Sequence, residues 1–140
     1  MKSLIVEDDF AARRLMQIYL AGLGGCDVAI NGLEAVKVVK EGIEDGETYD
    51  LVCLDIMMPQ MDGMETLRRI RQIEKDHGIE GLGRTKIIMT TAKNLSRDIF
   101  EAFNKGCESY LVKPVKKEVL LEEIKKLGLI EPSKEDSSYL

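Results

Sequence analysis

Short apolar runs alternate with amphipathic stretches along the whole chain. The runs are Leu4-Ile5-Val6, Val28-Ala29-Ile30, Leu51-Val52-Cys53-Leu54, Ile87-Ile88-Met89 and Ser109-Tyr110-Leu111-Val112. Their apolar residues are consecutive and do not alternate with polar ones. That pattern suits strands covered on both faces, as in a parallel sheet. The stretches between them repeat apolar residues at helical spacing. Over 10–22, Ala11, Leu15, Ile18 and Gly22 share one face. Over 31–43, Asn31 can cap a helix and Glu34 can complete the capping box, with Ala35, Val36, Val39 and Ile43 inward. Leu67, Ile70 and Ile73 mark a helix over 63–77, and a fourth is expected over 95–104. A fifth spans 115–127, with Leu120, Leu121, Ile124 and Leu127 inward. Five strand–helix units in succession predict a doubly wound α/β domain. Glu80-Gly81-Leu82-Gly83-Arg84 lengthens one connection and reads as a mobile loop. Gly128 and Pro132 end the last helix. The expected organisation is one domain over 1–127 and a polar, disordered tail over 128–140, with no output domain.

Composition narrows the class. The chain has 140 residues, 44% hydrophobic and 32% charged, which is ordinary for one globular domain with its own core. The net charge is −5, which disfavours a nucleic-acid binder that works by bulk electrostatics. No apolar run approaches the roughly 20 residues of a membrane span. The apolar start stops at Glu7, too soon for a signal peptide. The 3 cysteines, Cys26, Cys53 and Cys107, form no CxxC pair, so neither a zinc site nor a disulfide framework is indicated. Cys26 and Cys53 read as small buried apolar residues, and a reducing cytoplasm fits. With His77 alone, histidine-centred triads lose their main reagent.

The reactive side chains gather at the C-terminal ends of the runs. Glu7, Asp8 and Asp9 end the first, Asp55 the third, Thr90 and Thr91 the fourth, and Lys113 the fifth. In an open α/β sheet that edge is where ligands bind, at the switch in strand order. The order 2-1-3-4-5 would bring Glu7, Asp8 and Asp55 together, with Thr91 and Lys113 on the next strands over. Like charges about 4 Å apart repel by about 4 kcal/mol at an effective dielectric near 20. Either one carboxyl is protonated or a cation sits between them. Mg²⁺, which takes one or two carboxylates with water and phosphate oxygens, is the natural solution, with Mn²⁺ as a substitute. Lys113 can then pair with a phosphoryl oxygen and Thr91 can donate a hydrogen bond. An aspartate can also act as a nucleophile toward phosphorus.

Five segments together carry a family resemblance: Leu4-Ile5-Val6-Glu7-Asp8-Asp9, Leu54-Asp55-Ile56-Met57-Met58-Pro59 with Met61-Asp62-Gly63, Met89-Thr90-Thr91-Ala92, and Tyr110-Leu111-Val112-Lys113-Pro114. Over 2–127 the chain resembles response-regulator receiver domains of the CheY-like kind. The resemblance implies a (βα)5, flavodoxin-like fold. It implies Asp55 as phosphoacceptor, Asp8 as a direct Mg²⁺ ligand, Glu7 as a ligand through water, and Asp55 and the Met57 carbonyl completing the set. It implies Thr91 as the switch hydroxyl, Lys113 as the phosphoryl-binding cation, Tyr110 as the switch aromatic, and a cis bond at Lys113-Pro114. The donor would be a phosphohistidine on a sensor histidine kinase or phosphotransfer protein. The output face, over 95–127, would bind an unknown downstream protein, and the chain would be a monomer or weak homodimer through that face. Direct nucleic-acid binding and membrane insertion are not implied.

Other readings of the same residues stand beside these. Asp9 is expected to cap the first helix, and Thr90 to be a hydroxyl without a switching role. Tyr110 serves packing or switching equally well. Met57, Met58, Met61 and Met64 read as packing, since no Cys or His is near to make a copper site. His77, Lys116-Lys117 and Lys125-Lys126 read as solvated, and Arg13-Arg14 as a docking patch for a kinase. The resemblance also implies that Met57 and Lys93 flank the path of an attacking water. A metal-dependent phosphohydrolase would want a second acid where Met57 stands. A mononucleotide binder would want a phosphate-cradling loop where the three acids stand. A phosphate-independent scaffold has no use for the acids, Thr91 and Lys113.

Overall fold

The computed structural model describes residues 1–92 and 96–131. Lys93, Leu95 and the tail from Pro132, on which expectations also fell, lie outside the described residues. Five strands form one parallel sheet: β1 (Ser3–Val6), β2 (Cys26–Ala29), β3 (Leu51–Asp55), β4 (Lys86–Thr91) and β5 (Ser109–Val112), in the order β2-β1-β3-β4-β5. The helices are α1 (Phe10–Leu20), α2 (Gly32–Glu44), α3 (Gly63–Asp76), α4 (Ser96–Asn104) and α5 (Lys117–Lys126).

Two core layers explain why the strands read as unbroken apolar runs. Leu4, Val6, Val52, Leu54, Ile87 and Met89 face α2, α3 and α4, meeting Ala35, Val39, Leu67, Ile70 and Ala102. Ile5, Cys53, Ile88 and Leu111 face α1 and α5, meeting Met16, Leu20, Leu120 and Ile124. Successive strand residues point to opposite faces, so burying both faces makes every position apolar.

The caps set the helices against the sheet edge. Asp9 accepts from the Ala12 N–H at 2.8 Å, Asn31 from Glu34 at 2.8 Å and Asp62 from Glu65 at 2.9 Å. Each satisfies an N–H that the first turn leaves without a helical partner. Gly63 begins α3 where the chain passes β3: a Cβ there would lie 2.3 Å from the Asp55 carbonyl oxygen and 2.7 Å from the Ile56 Cα. Gln60, in the loop between them, has a φ of 69°.

Some details differ from the sequence reading. α1 buries Met16 and Leu20 and turns Ala11, Leu15 and Ile18 outward, with Ile18 54% exposed. β2 starts at Cys26 and leaves Ile30 exposed. The segment read as a mobile loop contains a single 3-10 turn, Gly81–Gly83. Leu129 and Ile130 pack partly buried against the α1–α5 layer. His77 is exposed, as expected, and caps the C-terminus of α3.

One polar cluster lies at the opposite edge from the acids. Arg71 of α3 donates to the Gly106 carbonyl, the Thr85 carbonyl, Glu74 and Glu108, all at 2.7–3.0 Å. Glu74, almost fully buried, accepts from the Thr85 N–H at 2.8 Å, and Glu108 accepts from the Ile87 N–H. These bonds tie α3 to the starts of β4 and β5.

Candidate functional site

The strand order switches between β1 and β3, and the acids gather at that crevice. Glu7 follows β1, its N–H donating to the Ala29 carbonyl of β2 at 3.0 Å. Asp8 comes next and is exposed. Asp55 ends β3 and is buried. Carboxylate oxygens of Glu7, Asp8 and Asp55 all lie within 4.8 Å of one another. Hard oxygen donors at this density suit a divalent cation such as Mg²⁺.

Lys113 enters from the end of β5. Its N–H donates to the Thr91 carbonyl at 2.7 Å. Its Nζ hydrogen-bonds Glu7 Oε1 and lies 3.3 Å from Asp55 Oδ2. One ammonium thus bridges two buried carboxylates, which without a counter-charge could not both stay ionised. Burial raises the Glu7 carboxyl above its ordinary value; the Lys113 bond opposes that, and the neighbouring Asp55 adds to it. Burial alone would lower the Lys113 ammonium, but the Glu7 bond and the Asp55 charge outweigh it and the net direction is up. Lys113 is therefore charged at neutral pH.

The other site residues surround this pair. The Met57 N–H donates to Asp55 Oδ1 at 3.2 Å, while its side chain is 53% exposed. Thr91 ends β4 beside Lys113 and is 1% exposed. Thr90 points to the other face and pairs in register with Asp55. Tyr110, half-buried on β5, shares a side-chain hydrogen bond with Thr91; burial raises its phenol and that bond opposes the rise. The Lys113–Pro114 peptide bond is cis.

Arg13 plays a part that the sequence reading missed. Its guanidinium donates to the Glu7 carbonyl at 3.0 Å and the Asp8 carbonyl at 3.4 Å, and lies 5.5 Å from the Phe10 ring centre. It braces the acidic turn from behind. An apolar groove of about 390 Å³ opens beside the acids, between α1 and the segment after β5. Ala12, Leu15, Met16, Pro114 and Val115 line it, with Glu7 and Lys113 at its end.

Fold and site together define a CheY-like α/β domain with an acidic, lysine-bridged crevice at its switch point. A family model for the response regulator receiver domain matches residues 3–125, and the chain belongs to that family. Receiver domains are phosphoacceptor domains of two-component signalling that bind Mg²⁺ at an acidic pocket. Among relatives, the probable transcriptional regulator ycf29 of Porphyra purpurea is 36% identical, over 89% of this chain and 54% of its own length. The chain thus spans about half the length of that relative. The receiver domain of the Arabidopsis thaliana histidine kinase CKI1, crystallised with Mg²⁺, superposes with a TM-score of 0.77 at 28% identity, covering 90% of each chain. The co-crystal of the Saccharomyces cerevisiae phosphotransfer protein Ypd1 with the receiver domain of Ssk1 matches with a TM-score of 0.81 at 29% identity, covering 100% of this chain and 97% of that one. Among the described residues no helix is long and apolar enough to cross a membrane.

Proposed function

We propose that this chain works as a receiver that accepts a phosphoryl group on Asp55 in a Mg²⁺-dependent reaction. The observation that carries the reading is the convergence of Glu7, Asp8 and Asp55 with Lys113 bridging two of them. Mg²⁺ held by Glu7, Asp8, Asp55 and the Met57 carbonyl, or Mn²⁺ in its place, would offset the negative charge of the incoming phosphoryl group.

An Asp55 carboxylate oxygen attacks phosphorus, the P–N bond of a donor phosphohistidine breaks, and the imidazole leaves with the electron pair. The product is an aspartyl phosphate. Lys113 is within reach of the new phosphoryl oxygens and exchanges a carboxylate partner for one of them. The Thr91 hydroxyl donates to another. Hydrolysis is the chain's own second step: water attacks phosphorus and Asp55 leaves as a carboxylate.

The donor is a sensor histidine kinase or a phosphotransfer protein. Its docking surface is the outward face of α1 with the groove beside it. Phe10, Leu15 and Ile18 are exposed there, more apolar area than a free helix face needs. Phosphorylation adds about −1.5 to −2 charges. Contacts from Thr91 and Lys113 favour one of two packings of β4-α4 and β5-α5, with Tyr110 changing rotamer as Thr91 moves. The α4-β5-α5 face then binds a downstream protein, as a monomer or through weak self-association, in the cytoplasm. The unit that switches is 1–127.

The test is transfer of label from a phosphorylated histidine phosphotransfer protein to this chain. Label should appear with Mg²⁺ and be absent from Asp55→Asn. Equal label on the Asp55→Asn variant would contradict the reading.

A further inference from the structure

The two walls of the apolar groove, α1 and the segment after β5, are joined by one long-range hydrogen bond. Tyr19 of α1 lies half-buried against the α1–α5 core layer. Its phenol O–H donates to the carbonyl of Val115 at 3.0 Å, across a sequence separation of 96. Val115 is buried and follows Lys113 by two residues.

Backbone bonds also fix the segment carrying Lys113 at both ends. The Lys113 N–H holds Thr91 at one end, and the Lys116 carbonyl accepts the Leu120 N–H of α5 at the other. Lys116, at the N-cap of α5, makes no side-chain cap bond. The Val115 carbonyl precedes α5, so no helical N–H of that helix is placed to satisfy it. A buried carbonyl needs a partner, and here α1 supplies it.

We propose that Tyr19 is a positioning residue for Lys113. Its phenol sets the distance between α1 and the 113–116 segment, and so the point from which the Lys113 stem reaches Glu7 and Asp55. This rests on the phosphoacceptor reading above. It adds that reading's dependence on a hydroxyl that touches neither phosphoryl group nor metal. It also makes α1, the proposed docking helix, the element against which Lys113 is referenced.

Tyr19→Phe keeps the ring and its packing and removes only the hydroxyl. The full chain should take up phosphate from a small acyl phosphate about fivefold more slowly, the rate equivalent of one hydrogen bond. Amide hydrogen exchange should quicken at Lys113 and stay at the parental rate at Glu7. Uptake at the parental rate overturns the proposal. So does slower uptake with exchange quickened equally at Lys113 and Glu7, which is general loosening. If the parent shows no Asp55-dependent uptake, the phosphoacceptor reading has failed instead. Exchange at Lys113 then decides alone: quickening supports the role of Tyr19, and no change overturns it.

Discussion

At Met57 the backbone and the side chain do different work. The N–H holds Asp55 Oδ1, while the thioether stands in solvent. It offers an incoming water no strong hydrogen bond. Replacing it with a side chain that orients water should add about 1 kcal/mol of transition-state stabilisation, or about fivefold in rate. Met57→Asn is therefore expected to shorten the phosphorylated lifetime several-fold, read by loss of label over time; an unchanged lifetime would refute this. The acids were legible in the sequence because Glu7 and Asp55 each directly follow a run of buried apolar residues, a position that neither a surface loop nor a core strand asks for. Arg13 was not, because a long flexible side chain leaves no mark of where its head goes.

Elements hold the site by close approach and by one buried ionic cluster. Gly63 lets the first turn of α3 pass over the end of β3. An alanine Cβ would meet backbone, which cannot move aside as a side chain can. Gly63→Ala should lower stability by about 1–3 kcal/mol, against the gain that Gly→Ala brings to an open helix position, and a urea titration would show it. Arg71 has a similar place at the other edge. Arg71→Ala leaves Glu74 and Glu108 without their shared cation. It should cost about 3–5 kcal/mol, visible as a large fall in denaturation midpoint; a loss under about 1 kcal/mol, the level of a surface pair, would contradict the geometry. Helix and strand order were legible because unbroken apolar runs alternate with stretches of helical spacing. The facing of α1 was not: it carries two apolar stripes, and spacing alone does not say that Met16 and Leu20 meet the sheet while Leu15 and Ile18 do not. Glu74 was also hidden, since a glutamate in a charged helix reads as solvated until its buried partners are seen.

For the whole molecule, two buried thiols contribute to the pH response above neutrality. Burial pushes Cys53 up to about 12 and, with the Glu108 charge adding, Cys107 up to about 11, against an ordinary value of 9.0. Below 9.0 both thiols are protonated in the folded and unfolded chain and contribute no slope. Above it the unfolded chain releases protons that the folded chain keeps, so stability falls as pH rises towards about 12. Thermal melts across that range should show the fall, and Cys53→Val should make it shallower than in the parent. On the proposed function, the lysine-bridged acids gain a phosphoryl group, and that change in charge can bias two packings only if Thr91 and Lys113 bind it better in one of them. The central claim is that Asp55 is the atom-level entry point. It is tested most directly by the intact mass of the protein incubated with a small acyl phosphate, with Mg²⁺ and with chelator, beside Asp55→Asn. A single phosphoryl adduct that requires both Mg²⁺ and Asp55 is the predicted result. An adduct that survives in Asp55→Asn, or forms equally in chelator, would contradict it.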